Sequence, residues 1–125
     1  MNKLLSTIIL LGALGVILGA FGAHALKETL SAKNLASFET GVRYQMYHVL
    51  MLLFVNFTTY FSERTKKQVS VIILLGILFF SGSIYLITIG GILAKSIWFI
   101  TPLGGLLFII GWVLLAIRAF NEVRR

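Results

Sequence analysis

Residues 4–26 read LLSTIILLGALGVILGAFGAHAL, and between Lys3 and Lys27 the chain carries no Asp, Glu, Lys or Arg. A bilayer core of ~30 Å needs about 20 apolar residues in a helix, and this run supplies them. Ala23-His24-Ala25 at its end imitates a signal-peptide cleavage site. The apolar stretch is longer than the roughly 7–15 residues of a signal core, and it carries four glycines on one face. The segment therefore reads as a transmembrane helix.

Working outward, three more stretches qualify, and the helices are expected at about residues 4–23, 44–61, 69–89 and 97–118. No alternating ten-residue strand pattern occurs, and backbone groups in lipid must be satisfied internally, so the spans are helices and not barrel strands. The composition agrees. Of 125 residues, 58% are hydrophobic and 12% charged, against about 25% charged in a soluble domain; the mean hydropathy is +0.98. Little chain remains outside the spans, so the expectation is an all-α membrane protein with one domain over residues 1–125, a four-helix transmembrane bundle. With no Cys, a disulfide framework, a thiolate metal site and a cysteine nucleophile are excluded.

The net charge is +7, and its placement argues against nucleic acid: the cations flank helices, with no basic stripe interleaved with aromatics. Lys3, Arg64, Lys66, Lys67, Arg118, Arg124 and Arg125 fall on one side, and Lys27, Lys33, Arg43 and Lys95 on the other. That excess predicts a cell (inner or plasma) membrane protein with both termini cytoplasmic. The flanking cations also touch anionic membrane lipid.

The connection over residues 27–43 predicts a short amphipathic interfacial helix between helices one and two. Leu35, Phe38 and Val42 share a face, Glu39 and Arg43 are spaced as an ion pair, and Ser31 or Asn34 is available as a cap. Residues 62–68 read as a tight basic turn. Gly90-Gly91 ends helix three. Thr101-Pro102 matches an N-cap followed by proline, so helix four is expected to start at Pro102, a kinked helix from Ser96 being the alternative.

At ~100° per residue, Gly12, Gly15, Gly19 and Gly22 fall within about 80° of one another. Gly76, Ser83 and Gly90 repeat every seven residues on helix three, as do Gly104 and Gly111 on helix four. Such small-residue seams let membrane helices approach closely. Packing within the chain is the first reading, and a homo-oligomer seam the alternative. On helix two, Gln45, His48, Asn56 and Thr59 project to one side with Gly41, within about 80°, while Tyr47 points the other way. Polar side chains at such depth face protein or water, not lipid. The stripe either holds the bundle together or lines a polar pocket near the outer face. The candidate members of that pocket are His24, Tyr44, Gln45, His48, Ser81, Ser83, Tyr85 and Thr101. His48 is expected to bond to one of Ser81, Ser83, Tyr85, Thr101 or His24. Two histidines without a third ligand are a weak metal or haem signal, so no cofactor or metal site is assigned. No carboxylate lies within a span and no serine has an evident base, which leaves no catalytic residues to name.

Gly19-Ala-Phe-Gly-Ala-His-Ala-Leu26, Tyr44-Gln-Met-Tyr-His48, Phe80-Ser-Gly-Ser-Ile-Tyr85, Thr101-Pro-Leu-Gly-Gly105 and Gly111-Trp112 occur in this order. The sequence thereby resembles the domain-of-unknown-function family 423, small bacterial multi-pass membrane proteins with eukaryotic relatives. The resemblance covers nearly the whole chain. It implies a four-helix integral membrane protein and supplies no catalytic residues. The leading functional expectation is a non-enzymatic interaction or scaffold component with a protein partner of unknown identity. An oligomeric transporter or channel subunit is the alternative, followed by a redox or lipid-modifying enzyme using His24 and His48.

Overall fold

The computed structural model describes residues 2–122 and is helical throughout its long elements. Four helices follow one another: α1 (Asn2–His24), α2 (Ala32–Phe57), α3 (Glu63–Thr88) and α4 (Ile100–Glu122), with short 3-10 turns at Leu26–Glu28 and Ala94–Ser96. Among the described residues no strand forms. Arg124 and Arg125, two of the cations in the topology argument, lie outside the described residues.

The helix ends explain where the expected boundaries move. Ser31 caps α2, its hydroxyl accepting from the Asn34 N–H at 3.1 Å, and the helix then runs unbroken for 26 residues. No separate interfacial helix precedes it; the amphipathic stretch forms its first three turns, because nothing after Ser31 breaks the backbone hydrogen bonding. Nor do Glu39 and Arg43 pair. Arg43 donates instead to the Thr40 hydroxyl at 3.0 Å. Helix two ends at Phe57, so Thr59 falls in the following turn and leaves the polar stripe. Ser62 caps α3 by accepting from the Thr65 N–H at 3.2 Å, with Glu63 in the first turn. An acid there favours the helix N-terminus, and the expected loop over 62–68 is mostly helix. α3 closes where Gly91 takes φ +74° and the Ile92 N–H reaches back to the Leu86 carbonyl at 3.1 Å, a left-handed stop suited to glycine. α4 begins two residues before the expected Pro102. Proline still fits, since its missing N–H is one that the first turn leaves unbonded anyway.

Glycines set how closely the helices meet. α1 packs on α2, with Gly12 facing Val49, Gly15 facing Met46, Gly19 facing Val42 and Gly22 facing the ring of Phe38. One series of numbers falls as the other rises, which makes the pair antiparallel. Gly41 of α2 meets Ile84 and Tyr85 of α3. The α3–α4 contact is the most extensive: Gly76 makes room for Phe108, Gly111 for Ile73, and Gly104 lies directly on the backbone of Phe79 and Phe80. The common core joins Ile8, Val49, Leu52, Val69, Ile73 and Phe108. All four helices alternate in direction. One end of the bundle carries residues 25–31 and 89–99, and the opposite end carries the turn over 58–62.

α1, α3 and α4 are each long and apolar enough to cross a membrane, whereas α2 does not reach that composition. From Tyr44 onward its outward residues are nonetheless apolar or aromatic: Tyr47, Leu50, Phe54 and Phe57 are all exposed.

These contacts separate glycines that the sequence pattern treats alike. A Cβ at Gly104 would overlap the Phe80 backbone, which cannot move aside, while one at Gly19 would stand 3.5 Å from a Val42 methyl. Gly104→Ala should therefore destabilise the chain by about 1–3 kcal/mol, as overpacking does. Gly19→Ala should be neutral or stabilising by up to about 1 kcal/mol through helix propensity. Thermal unfolding of both variants in one detergent checks this; equal midpoints would refute the contact assignment.

Candidate functional site

The chemistry-bearing side chains gather where α2, α3 and α4 converge toward the 25–31 and 89–99 end. Helical spacing puts Gln45 and His48 on the inward face of α2, and both are buried. Gln45 uses both ends of its amide. Its Nε2 donates to the Leu11 carbonyl of α1 at 2.7 Å, and its Oε1 accepts from the Tyr85 hydroxyl of α3 at 2.6 Å. One side chain thereby ties three helices together.

His48 is held just as fully. Its Nδ1 lies 2.6 Å from the Tyr44 carbonyl, and its Nε2 lies 3.1 Å from the Trp112 indole nitrogen of α4. A carbonyl only accepts and an indole N–H only donates. The ring must then be the neutral tautomer with its proton on Nδ1, and neither nitrogen keeps a lone pair for a metal. Its face stacks on Phe108 at 3.6 Å between centroids and 9° between planes. The expected partners of His48 were Ser81, Ser83, Tyr85, Thr101 and His24, and none of them holds it. Trp112 does, because the register of α4 on α3 brings the indole one turn beyond Phe108 to the imidazole.

The remaining candidates make other bonds. Ser81 donates to the Gly41 carbonyl at 2.6 Å. Ser83 joins Thr101 across α3 and α4 and also donates to the Phe80 carbonyl at 3.0 Å. Thr101 is thus an interhelical partner and not the N-cap of α4. Tyr44 stacks near Phe80, at 4.8 Å, and its ring is partly exposed. His24 ends α1 with its side chain exposed, and no group of three His, Cys, Asp or Glu able to hold a metal forms among the described residues.

Beside His48, a groove of about 780 Å³ opens between α2 and α4. Tyr44, Tyr47 and His48 form one wall, and α4 from Pro102 to Trp112 forms the other. The cavity expected here was polar; this one is aromatic and aliphatic, since the polar atoms behind it are already bonded.

A second polar cluster, which the sequence pattern did not reveal, locks the opposite end. Glu122 of α4 is buried, and its Oε1 accepts from the Thr65 hydroxyl at 2.9 Å and from the Ser62 N–H at 3.3 Å. Arg118 donates to Gln68 at 2.9 Å, and the Tyr60 hydroxyl donates to the Ala119 carbonyl at 2.9 Å. Toward the same end, Asn56 donates to Ser70 at 2.9 Å. Asn56 belongs to the periodic stripe of α2, whereas the residues around Glu122 lie far apart in sequence or at helix ends, where no periodicity marks them.

Three apolar helices and a packed polar interior define a small helical membrane protein. The chain belongs to the family described as "Protein of unknown function (DUF423)", whose model matches residues 18–105, and the resemblance drawn from its five motifs is borne out. A UPF0382 membrane protein of Staphylococcus saprophyticus is 43% identical over 90% of this chain and 96% of its own length. One of Haemophilus influenzae is 40% identical over 97% and 96%, and the UPF0382 inner membrane protein YgdD of Escherichia coli is 35% identical over 91% and 86%. No solved structure matches the chain significantly.

The His48–Trp112 bond gives a measurable coupling. In a double-mutant cycle of His48→Ala and Trp112→Phe, the interaction energy should be about 0.6–1.7 kcal/mol, the range of interhelical bonds in membranes. Strictly additive unfolding free energies in detergent would contradict the bond.

Proposed function

We propose that this chain is a non-enzymatic interaction component of the cell membrane, built as a four-span bundle with both termini cytoplasmic. The observation that carries the reading is the closure of the interior: His48 has both nitrogens engaged, and Gln45 both ends of its amide. The one histidine of α2 is thus not left to act as base, ligand or proton carrier. The same closure supports a crossing by α2. Gln45 and His48 cost little once they are bonded to α1, α3 and α4, and lipid meets the apolar outer face beyond Tyr44.

A transporter or channel reading has less support, because Gln45 and His48, which would line a path, are consumed by these bonds. The glycine seam of α1 is likewise occupied by α2 of the same chain, so an oligomer would have to use another face.

Two experiments test the proposal. The chain has no cysteine, so single cysteines report topology directly. Lys33→Cys and Lys95→Cys should react with a membrane-impermeant maleimide in intact cells, and Lys67→Cys should not; the reverse pattern overturns the orientation. Proteoliposomes of the purified protein should hold a pH gradient as long as protein-free vesicles do. A leak that His48→Gln abolishes would overturn the non-transporting role, since Gln replaces imidazole as both donor and acceptor.

A further inference from the structure

The groove between α2 and α4 has a length, a depth and a charged flank that together define an occupant. Ten residues separate Pro102 from Trp112 along its α4 wall, a rise of about 15 Å at 1.5 Å per residue. That is half of the ~30 Å hydrocarbon core, the thickness of one leaflet. The groove starts at the 89–99 end of the bundle and stops where the Trp112–His48 bond closes it. It opens sideways, with Tyr47, Ile109 and Trp112 each about half exposed, so its contents come from the surrounding lipid. Arg43 stands one turn before Tyr47 on α2, as residues four apart do, and flanks the groove on its α1 side, where it lines a smaller pocket with Glu39 and Val42. Among the described residues Arg43 makes no ion pair and bonds only to the Thr40 hydroxyl. A positive charge without an ion-pair partner thus stands beside an apolar trough one leaflet deep.

We propose that this groove is a binding site for an anionic phospholipid, with one acyl chain lying along Phe108 and Trp112 and its phosphate drawn to Arg43. The proposal rests on the reading that α2 and α4 both span the membrane. A phosphate offers the guanidinium a bidentate, charge-assisted partner, and the aromatic walls fill the space beside the chain. A zwitterionic lipid presents the same chain without the net charge.

The chain has two tryptophans, so Trp98→Phe leaves Trp112 as the only indole, at the inner end of the groove. The full-length variant is placed in phosphatidylcholine nanodiscs containing a minor fraction of lipid brominated on the acyl chain, either phosphatidylglycerol or phosphatidylcholine. Brominated phosphatidylglycerol should occupy the groove about fivefold more strongly than its phosphatidylcholine counterpart, the preference one basic residue confers at a membrane surface. Arg43→Gln should make the two lipids equal while Trp112 is still quenched. Gly105→Leu should weaken quenching by both, since Gly105 lines the groove and a Cβ there meets only Phe80 at 3.9 Å, an ordinary contact. Equal quenching by the two lipids in the parent variant, or no effect of Gly105→Leu, overturns the site while leaving the four-span reading intact. No quenching by either lipid overturns both.

Discussion

A helix that carries Gln45, His48 and Asn56 on its buried face needs neighbouring helices to accept those groups, and the packing of this chain answers that requirement in full for Gln45 and His48 and, through the Asn56 Nδ2, in part for Asn56. Leaving one amide unpaired in an apolar medium costs several kcal/mol, more than most single packing contacts return. Gln45 is therefore bonded to α1 and α3, His48 to α4 and Asn56 to α3. These bonds orient α2 about its axis, turning Tyr47, Leu50, Phe54 and Phe57 outward. The least apolar helix thus contacts each of the other three through a side-chain hydrogen bond.

Glycine supplies the approach that those bonds require. Between membrane helices there is no hydrophobic gain from burial, so van der Waals contact and hydrogen bonding hold the bundle. Both weaken quickly with separation. Gly12, Gly15, Gly19 and Gly22 let α2 come close enough for Gln45 to reach the Leu11 carbonyl, and Gly104 brings α4 onto the backbone of α3. The α3–α4 register that follows carries Phe108 beneath the His48 ring and Trp112 to its Nε2. At the opposite end, Glu122 secures the same helix pair through Thr65 and Ser62.

Tying off Gln45 and His48 leaves the lateral groove as an apolar concavity beside them, and this moves the functional question from the core of the bundle to its flank. The groove exists because α2 and α4 are bridged by side chains near His48 while the glycine-mediated contacts draw α4 toward α3 instead.

Much of this was legible in one dimension. Helical character followed from apolar runs of span length, since lipid admits few other backbones. The inward face of α2 followed from the 3.6-residue period, which brings Gln45, His48 and Asn56 together in any helix. The glycine face of α1 followed likewise, as did the stop at Gly91. The partners did not. Whether His48 meets Trp112 or Ser81 depends on the relative translation and rotation of α2, α3 and α4, and no local pattern encodes these. The same holds for Glu122 on Ser62 and Thr65, for Thr59 lying past the end of its helix, and for His24 standing exposed. A sequence states which groups need partners, because that is a property of each side chain and its period. Only the packed helices determine which partners they find, because that depends on distances summed over the whole bundle.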